Sequence, residues 1–149
     1  MKRSERLDVV QQATARTERE HAERVAEAQR HVAQMEEKLA ALEKYRGEYE
    51  AGFAARSRAG FDAIGVRDFQ AFLARLGEAL TQQAELVASA REALEAERAR
   101  WRGAAQRAHV VDTLAERWQT EETRAENRRD QNESDELSQQ RSALRERMK

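Results

Sequence analysis

Apolar residues recur along most of the chain at alternating steps of three and four, the spacing of one face of an α-helix. In the first half, threonine and histidine occupy this face early on, and valine, methionine, leucine and aromatic residues replace them toward Phe53. In the second half the series runs from Phe69 to Trp118, with a large side chain at every second position between Leu73 and Trp101. The pattern predicts two long helices with continuous faces that can pack against each other.

A glycine-rich segment separates these two periodic stretches. Four of the six glycines lie between Gly47 and Gly65, and because the chain has no proline, glycine is its only strong helix breaker. We therefore expect one helix over about 4–56, a reversal within 56–68, and a second helix over about 68–135, with 136–149 frayed or disordered. Asp68 is the expected N-cap, although Asp62 could start the second helix earlier.

Folding the chain about residue ~61 pairs positions whose numbers sum to ~122, since both helices rise equally per residue. Met35 then faces Val87, and the chain after about Trp118 has no partner from the first helix. We therefore predict an all-α fold, a single antiparallel coiled-coil hairpin domain over residues 1–149 with an overhanging C-terminal helix. The overhang is either a helix projecting into solvent or a segment that orders on binding.

The composition agrees with a coiled coil and argues against metal sites and catalytic sites. Charged residues make up 37% of the chain, aromatic residues only 5%, and cysteine is absent. The three histidines lack the spacing of metal ligands, and no phosphate-binding loop or nucleophile motif occurs. Because two packed helices also offer no cavity for a catalytic group, we expect no enzyme activity, no catalytic residue, no cofactor and no metal.

Charge and hydropathy argue against two classes of partner, nucleic acids and the membrane interior. The 27 basic and 28 acidic residues are interleaved rather than segregated, which argues against nucleic-acid binding. No apolar run is long enough to span a membrane, and the N-terminus lacks the apolar core of a signal peptide. The sequence therefore predicts a cytoplasmic protein without direct membrane insertion.

Two stripes of residues near the expected turn share the same spacing and straddle the edge of the packed face. The first stripe is Lys38, Leu42, Tyr45 and Tyr49, and the second is Phe72, Leu76, Ala79 and Gln83. Some of these residues occupy flanking positions, where an exposed coiled coil normally carries charge. Two interpretations are open at this point: the stripes widen the core near the turn, or they form a composite apolar patch for a partner protein.

The order of motifs resembles the FliJ family of flagellar type III export proteins, which are small cytosolic antiparallel coiled coils. The resemblance lies in segments along nearly the whole chain: Arg6-Leu7, 42–49, 68–73, Gln82-Gln83, Trp101, 114–117 and Asp135-Glu136. The Tyr45–Tyr49 pair and the segment Phe72-Leu73, with their spacing, are its most specific parts. The chain departs from the family pattern at Lys38, at Gln83 and over 109–112.

The resemblance implies a non-enzymatic protein that couples the hexameric export ATPase ring to the cytosolic domain of the membrane export gate. Family members are similar to the central shaft subunit of rotary ATPases and also handle chaperones of late export substrates. It places the protein in the cytoplasm, peripheral to the inner membrane at the flagellar base. The positions that match the family's gate-contacting residues are Leu42, Tyr45, Tyr49, Phe72, Leu76 and Ala79.

A generic coiled-coil scaffold is the alternative function. In that case the chain would be a single long helix that dimerises in parallel, and Gly52, Gly60 and Gly65 would be only local weak points.

The expected end of the molecule that contacts the ATPase is the one that carries the chain termini, because the charged segment Glu121–Glu136 suits salt-sensitive, exchangeable contacts.

Overall fold

The computed structural model describes residues 2–60 and 62–148. Helix α1 spans Arg3–Ala59 and helix α2 spans Ala63–Arg147. The described residues contain no strand, and the two helices pack against each other. The predicted all-α architecture of two long helices in a hairpin is therefore confirmed, and the parallel dimer of one uninterrupted helix is not the structure of this chain.

The helices change direction over a much shorter segment than the sequence suggested. Gly60 has a φ of +99°, a left-handed conformation that favours glycine, and its N–H donates to the carbonyl oxygen of Ser57 at 3.3 Å. Asp62 caps α2, because its Oδ1 accepts a hydrogen bond of 2.8 Å from the N–H of Gly65. The earlier of the two possible start points is therefore the one observed, and Asp68 lies inside the helix.

Both helices are also longer at their C-terminal ends than expected. Helix α1 continues through Gly47 and Gly52 to Ala59 rather than stopping near residue 56. Helix α2 continues to Arg147 instead of ending near residue 135. No glycine or proline occurs after Gly103, and the segment consists mainly of residues with good helix propensity, which accounts for the extension.

Residues Arg19–Gly103 form one compact unit with an aliphatic core. The core cluster consists of Val32, Met35, Val87, Ala90 and Leu94, each no more than 9% exposed, with Val25, Ala28 and Leu39 packed against it. The expected proximity of Met35 and Val87 is observed here. Gln83 is also buried, and its Nε2 donates to the carbonyl oxygen of Met35 at 3.0 Å, so its polar group is satisfied.

The packed face of this unit also contains two polar atoms without hydrogen-bond partners among the described residues. They are Nδ1 of His21 and Oε2 of Glu97, both buried. Because a buried polar atom without a partner costs free energy, the packing is weaker here than in the aliphatic core. This agrees with the threonine and histidine residues that occupy the early part of this face in the sequence.

The second compact unit combines Met1–Glu18 with Ala104–Lys149. Its buried apolar side chains are Leu7 and the small residues Ala104, Ala108 and Ala115. Alanines let helices approach closely but remove little apolar area from water. Apolar burial therefore contributes less in this unit than in the aliphatic core of Arg19–Gly103.

Polar contacts join the start of α1 to α2 in this second unit. Nζ of Lys2 lies 2.6 Å from Oε1 of Glu126, the hydroxyl of Ser4 donates to Glu122, and the guanidinium of Arg3 lies 4.8 Å from the ring centroid of Trp118. The expectation that the chain has no partner after Trp118 is wrong, because these partners are polar and leave no trace in the apolar pattern. From Glu126 to Met148 every residue is exposed.

These contacts also shift three pKa values. The hydrogen bond between Lys2 and Glu126 raises the pKa of the Lys2 ammonium and lowers the pKa of the Glu126 carboxyl. The hydrogen bond that Ser4 donates lowers the pKa of the Glu122 carboxyl. All three charged forms are therefore favoured by the contact between the helices.

Candidate functional site: an aromatic cluster beside the turn

The six residues predicted to bind a partner lie at very different depths in the unit Arg19–Gly103. Tyr45 is 49% exposed, whereas Leu76 is 6% exposed and belongs to the core. The other four, Leu42, Tyr49, Phe72 and Ala79, are half-buried. Leu76 therefore belongs to the core, while the rings of Tyr45, Tyr49 and Phe72 reach the surface.

These three rings form one contiguous group. Tyr45 and Tyr49 are one turn apart on α1, with ring centroids 6.4 Å apart. Phe72 approaches from α2 and meets Tyr45 edge to face at 6.0 Å and Tyr49 at 4.3 Å. Such geometries add to the stabilisation from burial, and they hold the half-exposed ring of Tyr45 in a defined orientation.

The group continues toward the turn through two rings that were not among the predicted site residues. Phe69 stacks on Tyr49 with a centroid distance of 5.1 Å and on Phe53 with a distance of 3.6 Å. We call the five rings of Tyr45, Tyr49, Phe53, Phe69 and Phe72 the aromatic cluster. Their spacing on each helix, a step of four from Tyr49 to Phe53 and a step of three from Phe69 to Phe72, was the signal in the sequence.

An open groove of ≈ 410 Å³ runs along the aromatic cluster. Tyr45, Tyr49, Phe53 and Phe69 contribute the ring surfaces, and Gly52 lies between them on α1. A Cβ atom built on Gly52 would meet no atom within 4 Å, so the missing side chain widens the groove. Glu48, Arg56 and Asp68 bring charged groups to the lining, and the groove is open to solvent on one side.

The ends of the two predicted stripes take no part in this surface. Gln83 is buried and committed to its hydrogen bond with Met35, while Lys38 is exposed and absent from the groove lining. The surface available to a partner is therefore centred on Tyr45 and the groove, nearer the turn than the stripes suggested.

The arrangement suits recognition of a protein segment better than chemistry on a small molecule. Rings with exposed faces and a few charged groups at the rim are typical anchors of protein interfaces. Within residues 2–60 and 62–148, no group of three or more potential metal-ligating side chains occurs. In the same residues, neither helix has a stretch long and apolar enough to cross a membrane.

Comparison with models of known protein families gives a match to the flagellar FliJ protein family over residues 2–147. No curated protein and no solved structure matches the chain. The match covers the aromatic cluster, the turn and both helices.

Proposed function

Because the match over residues 2–147 shows that this chain belongs to the FliJ family, whose role is in flagellar export, we propose that it couples the export ATPase ring to the membrane export gate. In this role it binds the cytosolic domain of the gate protein with the aromatic cluster. It acts from the cytoplasm at the flagellar base, and it also handles chaperones that deliver late substrates.

The observation that carries the proposal is the exposed ring of Tyr45 above Phe72, with the groove beside it. Aromatic side chains that are held rigidly at a surface lose little conformational entropy when a partner covers them. The ring contacts with Tyr49 and Phe72 supply that rigidity for Tyr45. A partner that buries Tyr45 would therefore gain most of the free energy of its apolar contact.

The contact with the ATPase ring is assigned to the segment of α2 after Glu126. Its residues are helical to Arg147, fully exposed and rich in both charges. Exposed charges of mixed sign support contacts that form and break readily, and that weaken with salt. Such contacts suit a subunit that meets successive faces of a ring.

The test uses two variants of the full chain against two partners. Tyr45→Ala should weaken binding to the isolated cytosolic domain of the gate protein by about 2 kcal/mol, roughly 30-fold in Kd by calorimetry. A chain that stops after Glu126 should lose stimulation of the ATPase but bind the gate normally, because the contacts of Lys2, Arg3 and Ser4 are retained. Leu86→Ala removes an equally exposed apolar side chain outside the cluster and is the control.

The outcomes separate the two halves of the proposal. Unchanged affinity of Tyr45→Ala for the gate domain would remove the aromatic cluster as the gate site. Normal ATPase stimulation by the shortened chain would remove the C-terminal segment as the ATPase contact. If Tyr45→Ala combined with Phe72→Ala loses most of its helical circular dichroism signal, the rings belong to the core and the loss of binding carries no weight.

A further inference from the structure

Three valines are exposed in the unit formed by Met1–Glu18 with Ala104–Lys149. Val9 is 65% exposed, Val10 46% and Val110 58%. Valine is a poor helix former because its branched side chain loses rotamer freedom, and this cost is normally offset by packing. The remaining exposed helix surface consists mostly of Ala, Glu, Arg and Gln, which are better helix formers than valine. At these three positions the unfavourable helix propensity of valine is not offset by burial within the chain.

A groove of ≈ 290 Å³ lies beside Val9 and Val10. Helix α1 lines it with two valines, an alanine and two threonines: Val9, Val10, Ala13, Thr14 and Thr17. Helix α2 contributes Arg107 and Ala104, which is 2% exposed and forms part of the floor. Val110 follows Arg107 by three residues and so lies on the same side of α2. The groove and the valines together form one apolar strip.

Positive charge borders this strip. Arg107 is the one charged residue among those that line the groove, and Arg6 precedes Val10 by four residues on the same side of α1. Neither side chain forms an ion pair within the part of the chain that is described. Three carboxylates near these arginines in sequence accept hydrogen bonds from other groups: Glu5 from the backbone N–H of Lys2, Asp8 from Gln12, and Asp112 from Gln11.

We propose that this strip binds the apolar face of an acidic amphipathic helix from another protein. An apolar side chain of that helix would fill the groove against Ala13 and Ala104, and carboxylates one turn away on either side would pair with Arg6 and Arg107. A second copy of the same face would bring arginine against arginine, which disfavours self-association here. The proposal uses none of the residues assigned to the gate or to the ATPase ring and stands independently of that function.

The probe is a fluorescein-labelled synthetic helix of about 18 residues, with leucines at steps of four and three and glutamates flanking them. Fluorescence anisotropy with the full chain should show saturable binding that weakens as salt rises. The same peptide with lysine in place of glutamate should bind at least about 10-fold more weakly. A peptide with the leucines moved off one face should not bind, because it cannot fill the groove.

Two variants test the assignment to the strip. Val9→Ala should weaken binding several-fold while raising the melting temperature by roughly 1–2 °C, because alanine is the better helix former at an exposed site. Arg107→Gln should weaken binding of the acidic peptide and reduce its salt dependence. Leu86→Ala and Arg24→Gln make the same kinds of change outside the strip and should bind as the unaltered chain does.

Several results would overturn the proposal. One is the lack of saturable binding of the acidic peptide below about 1 mM, because a Kd above that value is too weak for a specific contact. Another is equal binding of the acidic and basic peptides. Unchanged affinity of both Val9→Ala and Arg107→Gln would place the binding site elsewhere. A dimer in sedimentation analysis that is lost in Val9→Ala would show that a second copy occupies the strip instead.

Discussion

The aliphatic core and the aromatic cluster of Arg19–Gly103 use apolar side chains in opposite ways. In the core, Val32, Met35, Val87, Ala90 and Leu94 are all at most 9% exposed. In the aromatic cluster, Tyr45 is 49% exposed and Phe72 and Phe69 are half-buried, although the rings are larger. The larger side chains thus leave more of their area in water.

The two regions differ in how much of their apolar area stabilises the unit. Aliphatic side chains in the core are covered nearly as well as two packed helices allow, so most of their apolar area stabilises the fold. The rings hold one another at 3.6–6.4 Å and keep part of their surface free. The core stabilises the unit, and the cluster presents a rigid surface that a partner can cover.

The largest expected difference in the free energy of unfolding is between the variants Leu94→Ala and Tyr45→Ala. Loss of the Leu94 side chain from the core should cost about 2–3 kcal/mol, the low end for such a change because two helices can close partly over the gap. Tyr45→Ala should cost less than about 1 kcal/mol, since half of that side chain is already in water. Urea denaturation measures both, and equal losses would mean that the cluster is as much a part of the core as Leu94.

Gly52→Ala and Gly47→Ala should sharpen the comparison within α1. Both glycines are inside the helix, and a Cβ would meet no atom within 4 Å at either position, so each change should stabilise the protein by about 0.5–1 kcal/mol. Gly52 lines the groove and Gly47 does not. Only Gly52→Ala should therefore weaken gate binding, and equal binding of the two variants would exclude the groove from the contact.

The smallest expected effect concerns pH and the polar contacts that Lys2 and Ser4 make with α2, which provide a third, partly exposed region. Glu122 and Glu126 have lowered pKa values in the folded chain, so their contribution exists above the unfolded value and is lost as the pH falls below ~4. Lys2 has a raised pKa, so its contribution exists below the ordinary lysine value and is lost as the pH rises above ~10.4.

The amide NMR signal of Ser4, which donates to Glu122 at 3.3 Å, should report the acid transition without a change at Leu94. Solvent screening keeps the effect on global unfolding small. Glu122→Gln should remove the acid transition of the Ser4 signal, and persistence of that transition in the variant would assign it to another group.

Much of the fold could be predicted because apolar periodicity and glycine placement are both local signals. The step of three and four identified both helices, and the segment around Gly60 identified the reversal. The exact turn was harder, because Asp62 and Asp68 are equally good caps by residue type and only Gly60's left-handed conformation decides between them. The contacts of Lys2 and Ser4 escaped prediction, since an apolar pattern says nothing about which polar residues meet.

The candidate site was predicted in part for a related reason. Spacing placed Tyr45, Tyr49 and Phe72 near the edge of the packed face, and the structure brings their rings together. Spacing did not separate Leu76, which is buried, from Tyr45, which is exposed, because a modest rotation of each helix about its axis decides which flank is covered. Phe53 and Phe69 were predicted as packed residues, and their part in the groove needed the actual ring orientations.

The exposed length of α2 after Glu126 has a consequence for how that segment melts. A free helix must first pay to form its initial turn, but this segment is continuous with a packed helix and begins already nucleated. Each residue then joins or leaves the helix by one hydrogen bond, on a timescale of about nanoseconds. The packed helices unfold together in one transition, whereas this end loses helical residues gradually as temperature rises. The average helical length of the segment therefore varies continuously with its surroundings.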